Sequence, residues 1–162
     1  MRKLVALSSL LLIAAAPPPS PDARLRAIVA PVSQAQLRHT IESLVSFGTR
    51  HTLSSQTDPK RGIGAARDWL FAEFSKAAAQ SGGRMTVEKQ TFLQPKAARV
   101  PEPTTLTNIV ATLKGTQAEA EARTYVVSGH YDSMCGSPTD AKCDAPGAND
   151  DASGTAAVLE LA

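Results

Sequence analysis

The sequence predicts an α/β fold, and two patterns of apolar residues carry this prediction. Apolar residues recur with a helical period in the first part of the chain and with a period of two further along. The predicted order of elements is helix, helix, strand, strand, strand, helix, which is typical of α/β proteins. With 162 residues, 43% of them hydrophobic and 20% charged, the chain has the composition of a globular protein.

Two helices are predicted before the strands. Ser33 and Gln36 have the spacing of a capping box, and the apolar residues that follow repeat on one helix face up to Gly48. A second helix is predicted over residues 63–80, where the apolar positions form one stripe and two glycines follow. Both helices are therefore expected to bury one face.

The later part of the chain predicts three strands and a final helix. Residues 85–88 and 108–113 alternate between apolar and polar side chains, as half-buried strands do. The short apolar run 125–127, which Gly129 follows after one residue, predicts a third strand that is buried on both faces. From Ala152 onward the residues are mostly apolar and predict a buried helix.

The N-terminal segment has the features of a secretory signal peptide. Arg2 and Lys3 precede an apolar run over residues 4–16, which is too short for a membrane span of about 20 residues. We expect residues 1–23 to be a signal peptide and the start of a proline-rich spacer, with the cleavage position left open. The protein is therefore expected to be exported, periplasmic or extracellular, and not to stay inserted in a membrane after the signal is removed.

The charge balance excludes two classes of protein. Removing Arg2 and Lys3 from the 17 basic residues leaves 15, against 15 acidic ones. A chain with no net charge argues against a nucleic-acid-binding protein, which needs an excess of cations, and against a basic membrane-surface protein. The oligomeric state is left open by the sequence.

The two cysteines, Cys135 and Cys143, lie eight positions apart. In an oxidising compartment they are expected to form a local disulfide, with two free thiols as the alternative. A cysteine-ligated zinc site is disfavoured because the chain has no C-x-x-C pair.

Polar residues that can bind a metal flank the third predicted strand. His130 is expected at its carboxyl end and Asp150 at the start of the following helix, so that the two side chains converge. An imidazole nitrogen and a carboxylate are metal ligands, and Asp150 has two oxygens that can bridge two cations. Asp132 is of the right type to fix the tautomer of His130. In the alternative interpretation, His130 is only hydrogen-bonded and Asp150 only caps a helix.

Two motifs in this region carry a resemblance to a known family. The residues Gly-His-Tyr-Asp-Ser at 129–133 and Ala-Pro-Gly-Ala-Asn-Asp-Asp-Ala-Ser-Gly at 145–154 resemble the motif pair of the M28 family of zinc aminopeptidases. Weaker similarity is present at residues 108–115 and at 48–51, where Arg50 and His51 are expected to have a structural role in a loop. The resemblance covers about residues 33–162.

The resemblance implies an α/β/α sandwich of the zinc-exopeptidase type that hydrolyses peptide substrates with two zinc ions. By this resemblance His130 binds one zinc, Asp150 bridges both, and Asp132 orients the His130 ring from behind. The peptide bond between Asp150 and Asp151 is typically cis in the family. An aminopeptidase is the first expectation, and a carboxypeptidase is left open.

The family's general-base glutamate, a neighbouring glutamate ligand, an aspartate ligand and a final histidine ligand all follow later than residue 162. Glu160 does not match the family's base. We therefore expect residues 24–162 to be the N-terminal part of the domain, truncated after the first metal ligands and inactive by itself. The alternatives are a glutaminyl cyclase-like acyltransferase with one zinc on the same fold, and a non-catalytic ectodomain like that of transferrin receptors.

Overall fold

The structure is a computed structural model that describes residues 21–162, so the predicted signal segment lies outside the described residues up to position 20. Residues 33–162 form one compact unit. Before it, and assigned to a separate unit, lies helix α1 (Pro21–Val29), which the sequence analysis did not predict. No helix among the described residues is both long and apolar enough to cross a membrane.

Helices α2 (Gln34–Ser46) and α3 (Ile63–Gln80) confirm the two predicted helices. The Ser33 hydroxyl accepts the N–H of Gln36 at 3.2 Å, as an N-cap does. The expected capping box is only half formed, because the N–H of Ser33 donates to Glu160 Oε1 at 2.6 Å. Glu160 thus closes the start of α2 in place of the Gln36 side chain.

Strands β1 (Met85–Gln94) and β2 (Thr104–Leu113) form an antiparallel hairpin, in which Met85 faces Leu113 and Gln94 faces Thr104. The predicted strands are thus confirmed, and both are longer than the alternation alone indicated. Proline residues occupy the connecting loop, where they cost no hydrogen bond of the ladder. Helix α3 packs on this hairpin.

The third predicted strand is wrong. Tyr125, Val126 and Val127 have no regular secondary structure, and their exposed fractions are 85%, 83% and 62%. A strand needs a hydrogen-bonding neighbour, and within residues 21–162 only β1 and β2 pair with each other. The described part of the chain is therefore a mixed helix and strand unit with a two-stranded sheet, preceded by α1.

The remaining elements are short. A single 3-10 turn spans Ala120–Ala122. A kinked π-type turn at Ala148–Ala152 leads directly into α4 (Ser153–Glu160), which is the predicted final helix.

The core lies between α2, α3, the hairpin and the start of α4. Its fully buried members are Leu44, Ala66, Leu70, Phe74 and Ala152. Partly buried residues from every one of these elements surround them, including Val87 and Ile109 on the hairpin and Tyr131 in the loop before the last turn. Most of these side chains are aliphatic, and Phe74 is the aromatic residue among the buried members.

Truncation of a buried side chain should show how much this core contributes to the free energy of unfolding. Leu70→Ala is expected to lower the free energy of unfolding by about 2–5 kcal/mol, because Leu70 is only 1% exposed and the change leaves a cavity. Leu93→Ala is the matched control, since Leu93 is 65% exposed, and it should cost less than about 0.5 kcal/mol. Urea denaturation followed by circular dichroism measures both. Equal losses in the two variants would contradict the assignment of Leu70 to the core.

A charge cluster joins α3 to β1. The Asp68 carboxylate lies 2.9 Å from Arg67 Nε and 2.6 Å from Lys89 Nζ. The Arg67 hydrogen bond, with a smaller contribution from Lys89, lowers the pKa of Asp68 to about 2 in spite of its partial burial.

This lowered pKa predicts an acid-dependent contribution to stability. The contribution is present above the ordinary aspartate pKa of 3.8 and is lost as the pH falls through about 2, because only the carboxylate holds the two cations. Asp68→Asn should destabilise the protein at pH 7 by less than about 1 kcal/mol, since the side chain is half exposed. The difference from wild type in urea titrations should shrink between pH 4 and pH 2. A difference that stays constant with pH would show that the charge of Asp68 contributes nothing.

Candidate metal centre

The side chains of His130 and Asp150 meet although 20 positions separate them. Nε2 of His130 lies 3.0 Å from Oδ1 of Asp150. The His130 side chain is 57% exposed and that of Asp150 is 87% exposed. The pair therefore presents a nitrogen and an oxygen ligand atom together at an open surface.

The other ring nitrogen of His130 faces Asp132. Nδ1 lies 3.3 Å from the Asp132 carbonyl oxygen and 3.3 Å from its carboxylate Oδ1. The second carboxylate oxygen, Oδ2, accepts the hydroxyl of Thr52 at 3.1 Å. Acceptors at Nδ1 favour the tautomer that carries its proton there, which leaves the Nε2 lone pair towards Asp150.

The surroundings of His130 favour positive charge. Partial burial lowers the pKa of the imidazole, but the Asp132 carbonyl and the carboxylates of Asp132, Asp151 and Asp150 outweigh it, so that the pKa is raised. The same negative field that favours a proton favours a metal cation.

Asp151, the neighbour of Asp150, binds backbone instead of pointing to the site. Its Oδ2 accepts the N–H of His130 at 3.1 Å, and its Oδ1 accepts the N–H of Gly154 at 3.0 Å at the start of α4. The Thr155 hydroxyl donates to the His130 carbonyl oxygen at 3.0 Å. Helix capping therefore belongs to Asp151, whereas the alternative interpretation had given it to Asp150.

The backbone around these residues is tightly constrained. The peptide bond between Asp150 and Asp151 is cis. A Cβ at Gly154 would collide with the Asp151 carboxylate, and a Cβ at Gly147, where φ is +47°, would meet Asp150 O at 2.7 Å. Small residues are therefore needed on both sides of the two aspartates.

The geometry of the pair fits a shared cation. Zinc binds nitrogen and oxygen ligands at about 2.0–2.2 Å, so two ligands of a tetrahedral ion lie about 3.3 Å apart. The 3.0 Å separation between His130 and Asp150 is close to that value. Two ligands alone do not complete a zinc site, which takes three or four from protein.

Within residues 21–162, the only group of three His, Cys, Asp or Glu residues with ligand atoms within 4.8 Å of one another is Cys135, Asp140 and Cys143, so His130 and Asp150 do not form such a group. There the cysteines form a disulfide with a Cα–Cα distance of 6.5 Å, so neither is a thiolate ligand. Asp140 accepts the N–H groups of Lys142 and Cys143, which lowers the pKa of its carboxyl group. This group stabilises a loop and is not the metal centre.

Two polar residues behind the site were given no role in it by the sequence analysis. Thr52 supports the Asp132 carboxylate, and Arg50, expected only to be structural, is completely buried beside the loops that carry the site. A charged side chain two positions after Gly48, the glycine that follows α2, is the signal that could have drawn attention to Arg50.

The chain is similar to known proteins over most of its length. Residues 108–162 match the model of peptidase family M28. A probable zinc metalloprotease of Leptosphaeria maculans is 50% identical over 144 residues, which cover 89% of this chain and 33% of that protein. Proteins with the same description from Pyrenophora teres f. teres and Pyricularia oryzae are 52% and 53% identical, over 90% and 88% of this chain and 30% and 28% of theirs.

His130 and Asp150 offer an imidazole nitrogen and a carboxylate oxygen together at an open surface. Residues 108–162 thus resemble peptidase family M28, the family that the motifs indicated, and the similar proteins are described as probable zinc metalloproteases. It spans about a third of the length of the curated relatives that it matches.

Asp150 and Asp151 should respond differently to substitution. Asp151→Ala removes the acceptor for the N–H groups of His130 and Gly154, and it is expected to cost about 1–2 kcal/mol of stability. Asp150→Ala is the matched control, because the side chain is 87% exposed, and it should change stability by less than about 0.5 kcal/mol. Thermal unfolding in metal-free buffer measures both. The opposite ranking would overturn the assignment of the helix cap.

Proposed function

We propose that the protein is an exported zinc-dependent exopeptidase, and specifically an aminopeptidase. The observation that carries this proposal is the convergence of His130 Nε2 and Asp150 Oδ1 at 3.0 Å in a chain that resembles peptidase family M28. The probable zinc metalloproteases to which it is similar support zinc as the metal and peptides as the substrates.

His130 would hold the metal through Nε2, and Asp150 would hold it through its carboxylate. The chemistry that bound zinc supplies is polarisation of the scissile carbonyl group and activation of a water molecule. Asp132 and Thr52 contribute by fixing the His130 ring, so that Nε2 keeps its lone pair free for a ligand bond. Asp151 contributes by holding the backbone of His130 against α4.

The remaining zinc ligands and the general base are proposed to come from sequence outside this chain. Two observations support this: the relatives are about three times as long, and the His130–Asp150 pair supplies only two ligands. Glu160 is no candidate for the base, because its carboxylate accepts the N–H of Ser33. In this proposal residues 24–162 are the N-terminal part of an α/β/α sandwich and are inactive by themselves.

Export is proposed from the N-terminal segment. Arg2 and Lys3 followed by an apolar run have the pattern of a signal peptide within residues 1–23. The disulfide between Cys135 and Cys143 supports an oxidising compartment, either a periplasm or the extracellular space.

The decisive experiment compares wild type with Asp150→Ala in the complete protein. Wild type is expected to bind zinc and to release the N-terminal residue from unblocked peptides but not from N-acetylated ones. In Asp150→Ala, activity should fall by more than about 100-fold and bound zinc should decrease, because the substitution removes a ligand itself. Bound zinc is measured by elemental mass spectrometry, and activity is measured as the rate of hydrolysis of a leucyl amide substrate.

Glu88→Ala is the control, since it removes an exposed carboxylate from β1. Zinc content and activity that survive Asp150→Ala would overturn the metal assignment. Cyclisation of N-terminal glutamine without hydrolysis would instead indicate an acyltransferase. A protein with neither activity would be a non-catalytic ectodomain.

A further inference from the structure

Arg50 carries a positive charge, and its side chain has no exposed surface. Its exposed fraction is 0%, and burial lowers the pKa of its guanidinium, which the nearby Asp132 charge partly offsets. Burial of a cation is costly unless its N–H groups are satisfied. The guanidinium therefore has to be matched by acceptors within the protein.

The acceptors are four backbone carbonyl oxygens. Nε donates to Tyr131 O at 2.7 Å, and Nη1 donates to Leu44 O at 2.9 Å and to Pro146 O at 2.8 Å. Nη2 donates to Gly147 O at 3.0 Å. Only the planar fork of arginine presents donors in so many fixed directions, whereas a lysine ammonium is a compact point charge.

Three of these four carbonyl groups belong to the two segments that carry the candidate metal ligands. Tyr131 lies between His130 and Asp132, whereas Pro146 and Gly147 lead into the turn that contains Asp150. The fourth contact, to Leu44, fixes the guanidinium to the last turns of α2.

Ser133 strengthens the same junction. Its hydroxyl accepts the N–H of Arg50 at 3.0 Å and donates to Ala145 O at 2.7 Å, and its own N–H donates to Arg50 O at 3.1 Å. Ser133 is 4% exposed. The segment after His130 and the segment before Asp150 are therefore both hydrogen-bonded to Arg50, either directly or through Ser133.

We propose that Arg50, assisted by Ser133, is a positioning residue that sets the separation of His130 and Asp150 required for zinc binding. The inference rests on the proposed function, because it takes zinc as the metal of this pair. Arg50 is completely buried, so in this proposal it is not itself a metal ligand. Its effect passes through the carbonyl groups of Tyr131, Pro146 and Gly147, which hold the two ligand segments side by side.

The test measures the zinc affinity of the complete protein by competition with a chromophoric chelator. Arg50→Lys keeps a cation but loses the fork, and it is expected to weaken zinc binding by about 10–100-fold, the range for supports of metal ligands. Met85→Ala controls for loss of stability alone, because Met85 is buried at the start of β1 and lies outside the core cluster that contains Ala152 and contacts Tyr131. It is expected to leave zinc affinity unchanged at a temperature where the variants are folded.

Ser133→Ala keeps the proposal testable if Arg50→Lys does not fold. It removes the hydroxyl that joins Arg50 to Ala145 and should weaken zinc binding in the same direction by a smaller factor, about 3–10-fold, since the guanidinium contacts remain. Hydrogen exchange of the Ser133 and Ala145 N–H groups gives a readout that does not depend on metal. Faster exchange is expected in both variants.

The outcomes separate this inference from the proposed function. Faster exchange with unchanged zinc affinity would make Arg50 a purely structural residue and overturn the inference, while the zinc site would stand. Absence of zinc binding in wild type, or unchanged binding in Asp150→Ala, would overturn the proposed function and the positioning role with it. Weaker zinc binding in the Arg50 or Ser133 variant, with Met85→Ala unaffected, would support both.

Discussion

The arrangement of the site depends on backbone groups that polar side chains hold in place. The Asp151 carboxylate joins the N–H of His130 to the N–H of Gly154 at the start of α4, and this places Asp150 beside the imidazole. On the other side, the Arg50 guanidinium collects the carbonyl groups of the same two segments. Each of these hydrogen bonds involves a charged side chain, which makes it stronger than a bond between neutral groups. The geometry of the candidate site is thus maintained by charge-assisted hydrogen bonds and not by hydrogen bonds of a sheet.

Much of the fold could be predicted from the sequence where the pattern is local. The bounds of α3 follow from its apolar stripe, and the N-cap at Ser33 follows from residue type and spacing. The partner of the Ser33 N–H could not be predicted, because Glu160 lies 127 positions away and only the packing of α4 on α2 brings it there. Helix α1 was missed because a proline-rich segment precedes it and its apolar side chains are exposed.

The third predicted strand failed for a physical reason. An apolar run such as residues 125–127 forms a buried strand only when neighbouring strands supply hydrogen bonds and other elements pack over both faces. The sequence pattern indicates that the run tends to form a strand, but it does not indicate whether neighbouring strands are present. Among residues 21–162 the strands of the hairpin pair only with each other, and the apolar run is exposed. The pairing of His130 with Asp150 does not depend on this strand, because Asp151, Thr155 and Arg50 hold the segment directly.

The two adjacent aspartates show how chemically identical residues acquire different roles. Residue type allowed either carboxylate to cap the helix or to bind a metal. In the structure, Asp151 uses both oxygens on backbone N–H groups, so its charge is already compensated by donors that cannot leave without disrupting α4. Asp150 is 87% exposed and faces only the His130 ring, so its oxygens remain available to a ligand. The assignment of metal binding to Asp150 therefore rests on the backbone hydrogen bonds of its neighbour, which fix the position of Asp150 without using its carboxylate.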